Sequence, residues 1–500
     1  MIVRSVIALA TWMVAVAAVA QQTPNFSALE QRVAREIDSG NLPSLAVAVT
    51  QGGHIVYARA FGYANVAERK PATVRTAYAL ASVTKPITAT AVLQLAERGR
   101  IDLDAPALKY LPSWRLQAPF HKGPMPMVRH LLSHTSGLAT YARIHYGDEI
   151  ARAPALETSV EHYGVLVQPP GSIAEYSNLG YGLLGHIVEK SGGLRFGDYL
   201  ERHVFGPLRM DDAFVDSPDS AVAEVATAYD VQNRALPMLR NDTPGAGNVY
   251  ASAQDLIRFA QFHLDPGTAR KPVLSPRSVR RMQSKGDVRA LHHYYSGAYY
   301  GLGWYVRPDD GGERVLWHEG GMPGASTIIK LIPDRRIGVV VLANKTEVNT
   351  LTQAVADEAL RALLPDYSPG PLDATANYAP YAAQALFRGE WRGSIAVGGR
   401  LLPCELSFAP DGKVTLAFES GPGAEQRERG EFAGIVYRES FIGAVPLKLP
   451  IAEQANSAAP LLLVKLVRKD DLLRGSLVAY SSPQRLEYLL PVALSLTKQP

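Results

Sequence analysis

The feature that most constrains how this chain can fold is a break well past its midpoint. Pro365, Pro369, Gly370, Pro371 and Pro380 crowd into positions 365–380. Proline lacks an amide hydrogen and has a fixed φ, so neither a helix nor a central strand runs through such a stretch. Before the break, long helical and strand patterns alternate; after it, only short strand-like runs recur. A chain of 500 residues also exceeds one ordinary core. The expectation is a domain at 21–366, a linker at 367–380 and a second domain at 381–500.

In the first domain, Ser27-x-x-Glu30 reads as a capping box, and Leu29, Val33 and Ile37 share one helical face. Leu45–Thr50 and His54–Ala60 flank Gly52-Gly53, a hairpin signal. From Ser82 to about Leu264 the chain reads as mostly helical with long loops. Strands are expected at Gly301–Arg307, Arg314–Trp317, Ser326–Leu331 and Ile337–Leu342, then a helix from Leu351 to Leu363. Asp309–Gly312 reads as a hairpin turn, because no calcium-loop spacing follows it. This order predicts an α/β (α+β) fold. One antiparallel sheet is built from both ends of the segment, flanked by helices, with a helical subdomain inserted. Beyond the break, strands are expected at Ser394–Val397, Leu401–Phe408, Lys413–Phe418, Phe432–Tyr437, Leu461–Val467, Leu473–Tyr480 and Leu486–Leu490. Their short, regular spacing predicts a small all-β barrel or sandwich.

At the N-terminus, Arg4 precedes an apolar run from Val6 to Val19 that ends in small residues. That describes a secretory signal peptide at 1–20, so the expected location is periplasmic or secreted, with no stable membrane anchor. The net charge of +4 is small for this length and no basic stripe interleaves with aromatics, so nucleic acid is not an expected partner. Cys404 is the single cysteine, which removes internal disulfides and thiolate metal clusters. Its alternation with Leu402 and Leu406 places it in a strand, facing a core.

Three motifs carry chemistry. Ser82-Val-Thr-Lys85 is an S-x-x-K at an expected helix start, with Ile87, Ala91, Val92 and Leu95 as the apolar stripe and Gly99 as the stop. Residues three apart share a helical face, so the Lys85 amine reaches the Ser82 hydroxyl. Tyr176-Ser-Asn178 supplies a phenol that can shuttle a proton and an amide that can hold a carbonyl. His318-Glu-Gly-Gly321 lies on an expected strand, where adjacent glycines let a substrate approach the backbone. Each motif has a decoy: Ser495–Lys498, Tyr63–Asn65, and the His-x-Gly patterns at His145 and His162. Order and context separate the set from its decoys.

With these in place the chain resembles the serine β-lactamase and penicillin-binding-protein superfamily. It looks closest to the class C-like branch of D,D-carboxypeptidases, D-aminopeptidases and related esterases. The likeness spans roughly Phe26 to Leu364. It includes Leu95–Gly99 with Ile101–Asp104, Lys109–Pro112, His130-Leu-Leu-Ser-His-Thr-Ser-Gly-Leu138, Pro244–Gly247 and Ser252-x-x-Asp255. The resemblance implies that Ser82 is an acylated nucleophile, Lys85 its neighbouring base and Tyr176 a general acid/base. It further implies that Asn178, His318, Gly320 and Gly321 bind substrate, with the Ser82 and Gly321 amides as the oxyanion hole. No cofactor or metal is implied. His318 stands where β-lactamases have lysine, and Glu319 replaces a hydroxyl residue; a Glu319 facing the site would repel a carboxylate, whereas one facing away, as alternate strand residues do, would mean little. From about Tyr378 the chain resembles the lipocalin-like barrel attached to some of these hydrolases, with Gly389-x-Trp391 at its start.

The expected function is an exported serine hydrolase acting on a D-amino-acid peptide, amide or ester. The partner is then a small-molecule or peptide substrate. The alternatives are a class C-like β-lactamase and a catalytically silent binder of cell-wall peptide. His130 and His134 have the spacing of paired metal ligands but no glutamate beside His130, so they read as structural. His292–Tyr295 reads as a loop at the site mouth, and Gly245 and Gly247 as turn glycines.

Overall fold

The computed structural model describes residues 24–216, 224–269, 271–286, 298–307, 313–369, 379–381, 385–420, 427–455, 459–482 and 485–500. The leader at 1–20, the His292–Tyr295 cluster, the Asp309–Gly312 turn and most of the proline-rich linker lie outside these residues.

The apolar runs at the two ends of the first segment meet in one sheet. Ser44–Gln51 pairs with both His54–Asn65 and Ile337–Ala343, with Leu45 opposite Phe61 on one side and Ala343 on the other. Ile337–Ala343 then pairs with Ala325–Ile332, and that strand with Val315–Met322. The sheet has eight strands, and its core pairs are antiparallel. Its central strands are near-continuous β-branched and aliphatic runs because both faces are covered. Val33, Val47, Val341 and Leu360 pack on one face, beneath the helices Ser27–Asp38 and Asn349–Leu363. Ala48, Val340, Ile257 and Ala260 pack on the other, beneath the helix Ala253–Leu264. The expected strand at Gly301–Arg307 is split: Gly301 closes a turn on Trp304 O, and only Tyr305–Arg307 continues the ladder. The expected capping box is not formed; Ser27 is already helical, and its amide donates to Asn25 Oδ1 at 2.9 Å.

The C-terminal strands form a second antiparallel sheet, curled as a half-barrel. Its order runs from Ala379–Pro380 through Gly434–Tyr437, Ser440–Val445, Leu461–Lys469, Leu472–Tyr480, Tyr488–Lys498, Gly389–Val397, Arg400–Phe408 and Val414–Glu419 to Arg427–Phe432. No backbone pair joins its two edge strands among the described residues. Ser440–Val445 and the Arg427–Phe432 edge are strands the sequence reading passed over, since their apolar alternation is weak. Phe387, Phe408, Phe441 and Tyr381 fill the concave side. Trp391 is fully buried and donates to Phe387 O at 2.8 Å. Cys404 is buried at 1% exposure, which pushes its thiol up to about 12 and leaves it unreactive. The first segment also lends Ala142–Tyr146 to this sheet, with Ala142 opposite Leu489 and Arg143 opposite Tyr488. His145 therefore sits in a strand and not in the helical surroundings expected for it. No helix among the described residues is long and apolar enough to cross a membrane.

Candidate active site

Ser82 occupies a single 3-10 turn, Ala81–Val83, and the α-helix Thr84–Glu97 begins just after it. The helix expected to start at Ser82 thus starts two residues later. Ala81 has φ +48°, a left-handed conformation that is strained for a residue with a Cβ. Neighbouring bonds hold it: Leu80 N donates to Val249 O at 2.8 Å, and Leu80 O accepts from Thr327 Oγ1 at 2.8 Å. The strand Val315–Met322 presses directly on this turn. A Cβ at Gly320 would lie 2.2 Å from Leu80 O, so only glycine fits there.

Lys85 is fully buried. Its Nζ lies 3.0 Å from Ser82 Oγ, 2.8 Å from Asn178 Oδ1 and 3.0 Å from Ala246 O. All three neighbours are uncharged, and burial pushes the Lys85 amine well below its ordinary value. Asn178 is held for this contact, since its Nδ2 donates to Tyr141 O at 2.9 Å and its oxygen therefore faces the lysine. Ala246 belongs to the short helical turn Pro244–Gly247. Gly245 is more than a turn glycine, because a Cβ there would lie 2.4 Å from Tyr181 O. The close fit brings the Ala246 carbonyl onto Lys85.

Tyr176 precedes the helix Asn178–Gly192, whose N-cap is Ser177. Lys85 Nζ stands 4.7 Å from the Tyr176 ring centroid. Burial pushes the Tyr176 phenol above its ordinary value; a hydrogen bond with Ser82 opposes the shift and the Glu319 charge adds to it. His134, at φ +58°, supports this segment. Its Nδ1 accepts from Ser177 N at 3.1 Å, and its ring lies 4.2 Å from Tyr176 and 4.5 Å from Tyr300. That gives His134 the structural place read from the sequence. His130 likewise turns inward on its own segment, with Nδ1 accepting from Met127 N.

His318 is also buried, and both ring nitrogens are engaged. Nδ1 lies 2.7 Å from Glu319 O, so it carries the hydrogen and donates. Nε2 lies 2.9 Å from Tyr300 Oη and accepts from it. Burial is the main cause that pushes the imidazole down to about 3. The side chain therefore brings neither a free ring nitrogen nor a positive charge to a substrate. Glu319 alternates to the other side of the strand, where its carboxylate accepts from Gln353 Nε2. Gly321 follows it, with its Cα facing Asn349, which donates to Gly320 O at 2.9 Å. Between strand and helix lies a cleft of about 810 Å³ lined by Tyr176, His318, Glu319, Gly321, Glu347 and Asn349.

The structure thus brings Ser82, Lys85, Tyr176 and Asn178 together, with Gly320 against the Ser82 turn and Gly321 on the cleft. The decoys lie elsewhere: Ser495–Lys498 is in the last strand and Tyr63–Asn65 in the first hairpin. Sequence reasoning missed the Ala246 carbonyl and Tyr300. A backbone acceptor leaves no trace in residue type. Tyr300 sits next to the interrupted strand, where periodicity gave no face.

Comparison with known proteins gives the family of the fold. The Beta-lactamase family model matches residues 29–364. The chain belongs to that family, whose fold is that of the β-lactamases and penicillin-binding proteins. It is 27% identical over 337 residues to Penicillin-binding protein 4* of Bacillus subtilis, covering 63% of this chain and 70% of that protein. It is 25% identical over 326 residues to Protein flp of Staphylococcus aureus, covering 62% of this chain and 61% of that one. The octameric penicillin-binding protein homologue from Pyrococcus abyssi shares the fold at TM-score 0.59 and 22% identity, over 94% of this chain and all of that one. SurE with D-Leu does so at TM-score 0.64 and 22% identity, over 93% and 99%.

Proposed function

We propose that this protein is an exported serine hydrolase that forms an acyl-enzyme on Ser82 and acts on a D-amino-acid peptide, amide or ester. One observation carries the reading: a buried Lys85 whose neighbours are all uncharged, 3.0 Å from the Ser82 hydroxyl. A neutral amine has two hydrogens and one lone pair. Asn178 Oδ1 and Ala246 O take the two hydrogens. The lone pair then faces Ser82, whose hydroxyl donates to it.

Burial pushes Lys85 down and Tyr176 up, and groups shifted apart in this way divide into base and acid. Lys85 removes the Ser82 proton as Oγ bonds to the acyl carbon. The carbonyl oxygen takes up the negative charge and rests against the Ser82 and Gly321 amides. As the bond to the leaving nitrogen or oxygen breaks, the Tyr176 phenol gives that atom its proton and is refilled from Lys85. Water then repeats the sequence on the ester and frees Ser82. Asn178 holds the acyl amide. His318, with both nitrogens occupied, orients the strand end beneath Gly320 and Gly321.

The D-leucine of the SurE complex is the reason to place D-amino-acid amides and esters first in a substrate panel. The test is acylation by an activated ester, quenched in acid and read by intact mass. Wild type is expected to gain one acyl mass and Ser82→Ala none. An equal adduct on both would remove Ser82 from the mechanism. Rapid turnover of a chromogenic cephalosporin, lost in Ser82→Ala, would favour the β-lactamase alternative. Acylation without release would favour a silent binder.

A further inference from the structure

The two halves of the molecule meet at the residues that carry Tyr176 and Asn178. Lys465, in the middle of the C-terminal strand Leu461–Lys469, is mostly buried. Its Nζ lies 2.6 Å from Glu175 Oε1 and 2.8 Å from Thr140 Oγ1. Glu175 immediately precedes Tyr176. The Thr140 hydroxyl lies 3.0 Å from Glu175 Oε1 and 3.3 Å from Tyr176 O. The next residue, Tyr141, offers the carbonyl that orients Asn178. The one after it, Ala142, is paired in register with Leu489 of the C-terminal sheet. Residues 140–142 are therefore tied on one side to the half-barrel and on the other to two groups facing Ser82. Gln168, whose amide donates to Arg474 O at 3.0 Å, adds a further tie between the halves.

We infer that Lys465 is a positioning residue for Tyr176, and that the C-terminal sheet is a working part of the hydrolytic site. This rests on the acyl-enzyme reading above. Lys465 touches neither Ser82 nor the cleft; it acts by fixing the Glu175 carboxylate and the Thr140 hydroxyl. A mostly buried ammonium between two acceptors holds both in one geometry, since the alternative is a carboxylate without its cation in a site poor in water. The Tyr176 backbone then has one position, and its phenol meets Ser82 in one orientation.

The test uses the full chain with Lys465→Met, Lys465→Arg and Glu453→Gln. The last breaks a different ion pair between the two halves, Arg143–Glu453 at 2.7 Å. Two readouts are taken: the acylation rate across ester concentration, and amide hydrogen exchange of the 173–178 segment by mass spectrometry. Misplacement of a reacting group by about 1 Å lowers rates by up to roughly 100-fold. Lys465→Met is therefore expected to cut the limiting acylation rate by about 10- to 100-fold. The half-saturating concentration stays within about twofold, and exchange at 173–178 accelerates by about tenfold. Lys465→Arg restores most of both; Glu453→Gln moves neither beyond about twofold. Should Lys465→Met fail to fold, Thr140→Val carries the same expectation, as it removes only the hydroxyl beside Tyr176 O. Unchanged rate and exchange in Lys465→Met, or equal losses in Glu453→Gln, would overturn the inference. If wild type forms no adduct on Ser82, the acyl-enzyme reading falls, and the exchange readout alone decides the role of Lys465.

Discussion

The two sheets solve burial differently. In the first, every residue of Ala325–Ile332 and Ile337–Ala343 is buried. In the second, Arg400–Phe408 alternates, with Leu402, Cys404, Leu406 and Phe408 buried between more exposed neighbours. The central strands of the first sheet lie between helical layers and have no wet face, while its edge strand His54–Asn65 stays largely exposed. The second has one filled concave side and one open side. The difference governs what each can do. A sheet covered on both faces can hold a lysine away from water and change its proton affinity. A one-sided sheet keeps outer edges and polar side chains, such as Lys465, for bracing a neighbouring loop. The two lysines nearest the site also differ. Lys85 has uncharged partners, whereas Lys465 faces a carboxylate.

Replacing the buried amine is the strongest challenge to this contrast. Lys85→Met should lower the acylation rate by about 1,000-fold or more, because the proton acceptor is lost. Its melting temperature should change only modestly, since losing a buried amine is set against leaving the Asn178 and Ala246 oxygens without a donor. Calorimetry beside rate measurement checks both halves; a variant far less stable than wild type would mean that the charged form is resident. Folded Lys85 sits below the unfolded value of about 10.5, so its contribution to stability grows as pH rises toward that value. Acylation should likewise fall as pH drops below the lowered folded value.

Next in size is the parity of the two sheets. Val340→Ala and Val341→Ala should each destabilise by about 2 kcal/mol, because consecutive residues face two different cores. On the outer sheet Leu402→Ala should cost about 2–3 kcal/mol. Leu401→Ala, at 57% exposure, should stay within about 0.5 kcal/mol. Chemical denaturation decides it, and unequal effects at 340 and 341 would break the contrast.

A further check is a slope with pH. His318 has a folded pKa of about 3, below the unfolded 6.5. Between those values the unfolded chain binds a proton that the folded protein refuses, so stability falls as pH falls through the window. The slope is up to about 1.4 kcal/mol per pH unit. His263, also at about 3, adds a second such proton. His318→Gln should flatten the slope measured from pH 4 to 6.5; an unchanged slope would show that His318 is not the buried neutral base described.

Much of this was legible before any coordinates. Ser82 and Lys85 are three residues apart, a distance local geometry spans whether the turn is 3-10 or α. The hairpin at Gly52-Gly53 and the apolar runs at 326–331 and 337–342 announced themselves by composition. The misread places have physical reasons. Ser27 lost its cap role because its amide goes to Asn25 Oδ1 and the Glu30 carboxylate turns to Tyr57 and Arg59. The split at Gly301–Trp304 was hidden because a turn against the Thr84–Glu97 helix keeps its residues apolar. Ser440–Val445 was passed over because its small and mixed side chains lack a period.

The sequence by itself determined the residue types of the site, their order and the sheet that carries them, since these follow from short-range spacing and from which faces must leave water. Only the tertiary structure decided their protonation and their support. That Lys85 has no charged neighbour, that Tyr300 fills the second His318 nitrogen, and that Lys465 stands beside Glu175 depend on groups from about twenty to hundreds of residues apart. Electrostatics and hydrogen bonding act through space between those groups, and no pattern along the chain records such distances.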